Sequence, residues 1–578
     1  MASSAIVPRT TTVMEAKYTG MTERGNLTAL LRDANPGVRA KALQEMGRAG
    51  EQGAAMEGNH EKVFYMMEDA SPQVQVAAIA ALGCMGMYGA TYVDYVAQKL
   101  AATGNREVRR AAARALGAMG GLAAAQATPL EDCLEDNDLD LVGLACSALG
   151  AVGATQSVDK IVQKLKSSDI EVTIGACKGL GFLALGGDEL LEPLNHKEAR
   201  VRAAAAAALA KERPEALEQH AAKIASLLGD TDAHVRISAV SMISALGAGA
   251  AAHASAIGAL LSHADPGVRA AAASALGGIG EAAASEIPQL EKLLTARDED
   301  TSTHVLTIAG LQPKVAPPLR KPACAAAAAL AVMGKAAQRS APKIADALDA
   351  FDEELRVQCA CALSGLGDAG AKYEDRVVSL LDDSAPMVVA AACYSLGSMA
   401  EATKLPSSLI ANRVAEQLQD KHPAVRGAAV GGLGKMGAEA AAHIEDIARC
   451  FNDRVGYVRA QAVQALPGCG EVGQMFAGEA CRLMFDPEER VRLAAIGTLP
   501  KLGQRGAAFA EETSQLLDDP SAEVRAAAVK ALGSMNGLEV KDFLPNVLRL
   551  MDEDESEMVR AAAEAAVAKL RAIEDAAE

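Results

Sequence analysis

Apolar positions along the chain recur at helical spacing, in a block that returns about every 33 residues. In Asp265-Pro-Gly-Val-Arg-Ala-Ala-Ala-Ala-Ser-Ala-Leu-Gly-Gly-Ile-Gly280, the residues Val268, Ala272, Leu276 and Ile279 stand at 0, +4, +8 and +11. That spacing lays them along one stripe of a helix and predicts a buried face. With the Val before Arg269 as anchor, equivalent positions fall at Val38, Val74, Val108, Leu141, Val172, Val201, Val235 and Val268. They resume at Pro322, a degenerate copy, and continue at Leu355, Val388, Val425, Val458, Val491, Val524 and Val559. Sixteen copies result, most of them 31 to 37 residues apart.

The polar and glycine positions of the block predict where each helix starts and stops. Three residues before the anchor stands an N-cap type in ten copies, among them Asn35, Ser71, Asn105, Asp138, Asp232 and Asp265. A Pro often follows at the first helical position, as at Pro36, Pro72 and Pro266, where its missing N–H costs nothing. Twelve residues after the anchor Gly stands in eleven copies, as a left-handed helix terminus requires. A second amphipathic stretch follows, for example Ile287–Leu294 and Ala341–Leu348, with Pro near its start at Pro129, Pro193, Pro288, Pro342 and Pro545.

Each unit therefore reads as a helical hairpin that cannot bury both faces alone. Neighbours must stack into a solenoid, so the expected fold class is all-α, an α–α superhelix of about sixteen two-helix repeats. The expected organisation is a flexible N-terminal arm (1–23), eight repeats (24–296), an inserted loop (297–321) and eight further repeats (322–578). The last of these ends in a charge-rich capping helix from Glu557 to about Asp575. The insert stretches one spacing to 54 residues. Its acidic start, apolar middle (Val305, Leu306, Ile308) and Pro-rich basic end mark it as a candidate docking loop.

The runs Asp265-Pro-Gly-Val-Arg-Ala-Ala-Ala, Asp519-Pro-Ser-Ala-Glu-Val-Arg-Ala-Ala-Ala and Asp486-Pro-Glu-Glu-Arg-Val-Arg-Leu-Ala-Ala resemble the short HEAT or HEAT-like repeat, over about residues 24 to 574. Two further columns fit that resemblance. Asp lies five before the anchor in ten copies and Arg one after it in eleven. They suggest an Asp–Arg ladder that fixes register between repeats, with Asp33, Arg39, Asp230, Arg236, Arg269, Asp420, Arg426, Asp453, Arg459, Asp486, Arg492, Asp519 and Arg525 as members.

Composition narrows the picture. Half of the residues are hydrophobic, but there is no Trp and aromatics make up 3%. Large single cores lean on aromatic rings, so many thin interfaces of small residues are expected instead, and a compliant assembly of them. No apolar run of the sequence reaches the ~18–20 residues that span a bilayer, and the N-terminus lacks the apolar core of a secretory signal. A net charge of −18 opposes binding to phosphate backbones. Eleven dispersed cysteines suit a reducing compartment better than a disulfide framework.

Candidate chemistry is sparse. The deoxyhypusine hydroxylase type of HEAT-like enzyme holds iron with several His-Glu pairs, and here only His60-Glu61 occurs. Cys146, Cys177 and Cys393 occupy an otherwise aliphatic column, and Cys359-Ala-Cys361 lacks zinc-knuckle spacing. Gly431-Gly-Leu-Gly-Lys-Met-Gly437 lacks the Ser/Thr of a phosphate loop. No metal, cofactor or catalytic residue is expected. Second helices line the concave side of HEAT-type solenoids, and here they carry Lys99, Lys164, Lys223, Lys292, Arg339, Lys343, Arg376, Arg413 and Arg449. These form a candidate basic trough for an acidic peptide or protein segment. The expected function is a non-enzymatic, cytoplasmic scaffold or adaptor within a multi-subunit complex, binding proteins rather than nucleic acid or membrane. A filament- or microtubule-attached structural subunit and a bilin-lyase-type enzyme are the alternatives.

Overall fold

In the computed structural model, which describes residues 24–51, 59–101, 105–295, 321–403, 408–535 and 542–577, the repeats share a common order of local elements. The copy anchored at Val425 illustrates it. His422, in extended conformation, accepts a hydrogen bond from the Ala424 N–H, Pro423 opens the helix Pro423–Lys435, and the helix ends two residues before Gly437. The chain then makes a short turn, Ala438–Ala441, and a further helix, Ile444–Arg449, which tightens into a 3-10 turn at Cys450–Asn452. Asp453 follows in extended conformation, its carboxylate accepting the Val455 N–H at 2.9 Å, and the next first helix begins at Gly456. No strand occurs among the described residues.

Two details differ from the sequence reading. The glycine column does not adopt the ordinary left-handed helical conformation. Gly120, Gly280, Gly367, Gly437, Gly470 and Gly503 have φ of +57° to +73° with ψ near −125° to −143°. That is the mirror-image turn region, closed to any residue with a Cβ. Ala184, which fills the column where no Gly is present, sits in the true left-handed region at φ 50°, ψ 48°. The second arm is also not one helix. It breaks at the residue 18 after the anchor, for instance His443 at φ −109°, ψ 15° and Phe476 at φ −95°, ψ 17°.

The core follows the stripe. The residue four after the anchor is Ala in every copy except Cys359, and all sixteen are buried. Adjacent first helices approach closely at the residues nine after one anchor and seven after the next, as where a Cβ on Gly83 would lie 2.9 Å from the Ala115 Cα. The residue eight after the anchor is large and apolar, from Met46 and Leu82 to Leu532 and Val567, and is equally buried. It fills the space between the two arms of its own repeat. Between the helices Leu139–Ala151 and Ile170–Leu183 the approach is so close that a Cβ on Gly175 would lie 2.0 Å from the Gly143 carbonyl oxygen.

The chain packs as two compact units, Met1–Leu246 and Gly247–Glu578. The inserted segment at which the repeat count divides lies well inside the second of these, and its residues Val305, Leu306 and Ile308 fall outside the described residues. One helical run, Ala233–Ser262, has the length and mean hydropathy (1.5) of a membrane span, which the sequence reading did not anticipate. It is interrupted at Gly247, with φ +51°, and carries Arg236 among its buried residues.

Candidate functional site

Most Arg of the repeated column are held between two neighbouring repeats. Arg426 donates from Nε and Nη2 to both oxygens of Asp453 in the following repeat, at 2.7 and 2.9 Å, while Nη1 donates to the Asp420 carbonyl of its own repeat at 2.8 Å. The pattern repeats at Arg459 with Asp486, Arg492 with Asp519 and Arg525 with Asp554. It is present also at Arg356 with Asp383, and in the first unit at Arg39 with Asp69 and Arg202 with Asp230. Arg109 reaches Asp136 at 2.6 Å. The matching Asp then accepts the N–H two residues on, as at Asp486, Asp519 and Asp554, so one carboxylate shapes the turn and ties the repeats together.

Where the Asp of the following repeat is replaced, the link from the Arg to its own loop is retained. Arg236 and Arg269 each keep the link to their own loop, donating to the Asp230 and His263 carbonyls at 2.7 Å. The Asp position one repeat on is His263 and Pro317 respectively. Asp33 opens the first copy and Asp420 follows a copy with Val389 in place of Arg, yet both still shape their turns, accepting the Asn35 and His422 N–H groups.

These carboxylates ionise more readily than free ones. The Arg39 guanidinium hydrogen-bonded to Asp69 holds its carboxyl below the usual value, and Arg109, Arg110 and Arg525 do the same for Asp136, Asp138 and Asp554. Burial works against this at Asp453 and Asp486, but the hydrogen bonds from Arg426 and Arg459 still leave both lowered.

The basic residues of the second arms do not stand as an unpaired trough. Lys99 meets Glu68 at 2.6 Å, Lys164 meets Glu135 at 2.9 Å and Lys343 meets Glu291 at 2.5 Å. Arg376 bridges Asp346 and Asp349, and Arg413 meets Asp382 at 3.0 Å. In each case the acid belongs to the preceding repeat. Lys223 donates to Asn195 there, and Arg449 pairs with Asp446 one turn back on its own helix. Lys292 and Arg339 are exposed. The reason is the period itself: second arms in register place a basic residue of one copy beside the acidic residue of the copy before. The second arms thus present a mixed-charge face with a second, solvent-exposed ladder, which the sequence reading missed because it weighed the bases without the acids opposite them.

Among the described residues no cluster of three His, Cys, Asp or Glu could hold a metal. Burial pushes the thiols of Cys146 and Cys177 up to about 12 and that of Cys450 up to about 11, the reverse of what a nucleophile needs.

The HEAT-repeat family model matches residues 61–143, 224–309 and 480–568. No curated protein matches the chain in sequence. Among solved structures, yeast importin-beta (Kap95p) is similar over 95% of this chain and 84% of its own, with a TM-score of 0.61 and 13% identity. A Kap95:Nup1 complex aligns over 95% and 77% at a TM-score of 0.47 and 13% identity. The karyopherin Kap121p bound to the SUMO protease Ulp1p aligns over 96% and 75% at 0.40 and 13%. At such identity the likeness is one of fold. Repeat chemistry, all-helical hairpins and the likeness to importin-beta agree on an all-α fold of repeated helical hairpins, which is similar to HEAT repeats over residues 61–143, 224–309 and 480–568.

Proposed function

We propose that the chain is a non-enzymatic protein-binding scaffold whose second arms carry the partner surface. The observation that supports this most is the mixed-charge ladder along those arms, an exposed and regularly spaced set of ion pairs in each unit. Paired charges of this kind contribute little to stability, about 0–1 kcal/mol each, so a partner can exchange them at small cost and gain register specificity. On this reading an acidic partner segment would have to displace Glu68, Glu135 or Asp382 from its base. The face therefore selects partners of alternating charge rather than uniformly acidic ones.

Affinity capture with the full chain, followed by lysine cross-linking and mass spectrometry, tests the assignment. A stoichiometric protein partner cross-linked through Lys99, Lys160 or Lys343 is the expected result. Cross-links confined to first-helix lysines such as Lys178 and Lys530, or no stoichiometric partner at all, would refute it.

A further inference from the structure

Phe and Tyr number 8 each in the whole chain, yet Phe64, Tyr65, Tyr88, Tyr92 and Tyr95 gather on the second arms of two successive repeats in the first unit. Phe64 stacks on Tyr92 with ring centroids 4.4 Å apart and meets the edge of Tyr95 at 5.0 Å. His60 stacks on Tyr88 at 5.3 Å, and its Nδ1 lies 3.0 Å from the Tyr92 hydroxyl. These internal contacts hold a platform in place while its outer rings face solvent: Tyr65 is 70% exposed, Met87 63%, Tyr95 50% and Tyr88 41%. Leaving so much aromatic surface in water is unfavourable, and Tyr and Met are the residues that mark interface centres.

What would cover it is indicated by the rest of the chain. Elsewhere an aromatic ring of this protein is covered by an ammonium group from the next repeat, Lys211 over Phe182 at 4.2 Å and Lys435 over Tyr394 at 4.3 Å. Among the described residues no Lys or Arg stands over the five-ring cluster. Acidic groups flank it: Glu61 lies four residues before Tyr65 on the helix His60–Tyr65, hence on the same face, and Asp94 is exposed next to Tyr95, while Glu68 is already paired with Lys99. The molecule as a whole carries −18, which draws cationic segments toward it.

We propose that this cluster binds an arginine-bearing segment of a partner protein, with a guanidinium seated on the Tyr65 and Tyr95 rings and the Glu61 carboxylate as its counter-charge. A planar guanidinium stacks on an aromatic face while its edge N–H groups remain free to meet a carboxylate, which a lysine ammonium cannot do. The proposal rests on the scaffold reading and names one class of segment that the scaffold takes.

The absence of Trp makes the test direct, since native emission comes from Tyr. The full chain is titrated with the acetylated, amidated hexapeptide Arg-Gly-Arg-Gly-Arg-Gly and with its citrulline counterpart, which keeps the shape and loses the charge. The arginine peptide should change Tyr emission and bind at least tenfold more tightly than the citrulline peptide. The Tyr65→Ala/Tyr95→Ala variant should lose at least tenfold in affinity, Tyr65→Phe/Tyr95→Phe should retain it, and Glu61→Gln should weaken it severalfold. Both altered tyrosines are exposed, and an unchanged far-ultraviolet circular dichroism spectrum checks that the variants fold. Equal binding of the two peptides, no binding of either, or unchanged affinity in the alanine variant would overturn the proposal. None of these outcomes touches the cross-linking test of the scaffold, so the two readings fail separately.

Discussion

The residue that ends each first helix shows how much one backbone conformation can demand. At Gly437, φ +64° and ψ −125° exclude any side chain, although a Cβ there would meet nothing within 4 Å. The cost of Gly437→Ala is therefore purely conformational, about 1–3 kcal/mol, and a urea titration should read it as a lower midpoint at unchanged slope. Ala184 offers the converse. It holds a left-handed conformation at φ 50° that costs an L-residue roughly 1–2 kcal/mol, so Ala184→Gly should raise the midpoint even though it removes a methyl group. If Ala184→Gly instead lowers stability, the strain assigned to that turn is wrong. The glycine column was legible in the sequence from its position alone. Its true conformation was not, because Gly is compatible with every positive-φ region and only the path of the following chain selects one.

At the scale of elements, the Asp–Arg rungs and the exposed second-arm pairs look alike in sequence and differ in burial. Arg426 and Asp453 have side chains only 10% and 11% exposed, and Asp453 also holds its turn. Asp453→Asn should cost about 1–3 kcal/mol, the penalty of leaving a buried guanidinium partly unmatched. Arg413→Ala, at a solvent-exposed pair, should cost less than about 1 kcal/mol. Matched denaturation curves of the two variants decide whether burial sets the difference, and equal losses would deny it.

The same rungs give the protein an acid limit. Asp69, Asp136, Asp138 and Asp554 have folded values held below the ordinary 3.8. A carboxylate whose value is depressed on folding binds its proton more weakly in the folded chain. Its stabilisation is complete above the unfolded value and is lost as pH falls through the folded one. The urea midpoint should thus fall steeply below about pH 4, and the fall should be shallower in an Arg459→Gln/Arg525→Gln variant. A midpoint independent of pH from 5 to 2 would contradict this account.

For the molecule as a whole, stability is the sum of repeats and of their nearest-neighbour interfaces. Within each unit the first helices of successive repeats pack on one another, closely where the residue nine after one anchor meets the residue seven after the next, and nothing in this scheme needs a distant segment. The two units, divided at Leu246 and Gly247, should accordingly each keep a helical circular dichroism spectrum and a cooperative thermal transition when produced alone. A featureless spectrum from either fragment would show that its repeats need the other unit to fold.

The sequence by itself determined the helical hairpin, its caps, its stops and its stacking, because each depends on residues within one period of some 33 and is written again in every copy. It also contained the Asp and Arg columns, whose recurrence at fixed offsets is a signal that needs no coordinates. Tertiary structure alone decided which acid meets which base, that the Lys99, Arg376 and Arg413 side chains are neutralised across repeats, and that His60, Phe64, Tyr88, Tyr92 and Tyr95 converge on one surface. Those outcomes depend on register between repeats. Residues some 30 positions apart become neighbours only when the arms stack, and no local pattern of apolar and polar residues specifies that alignment.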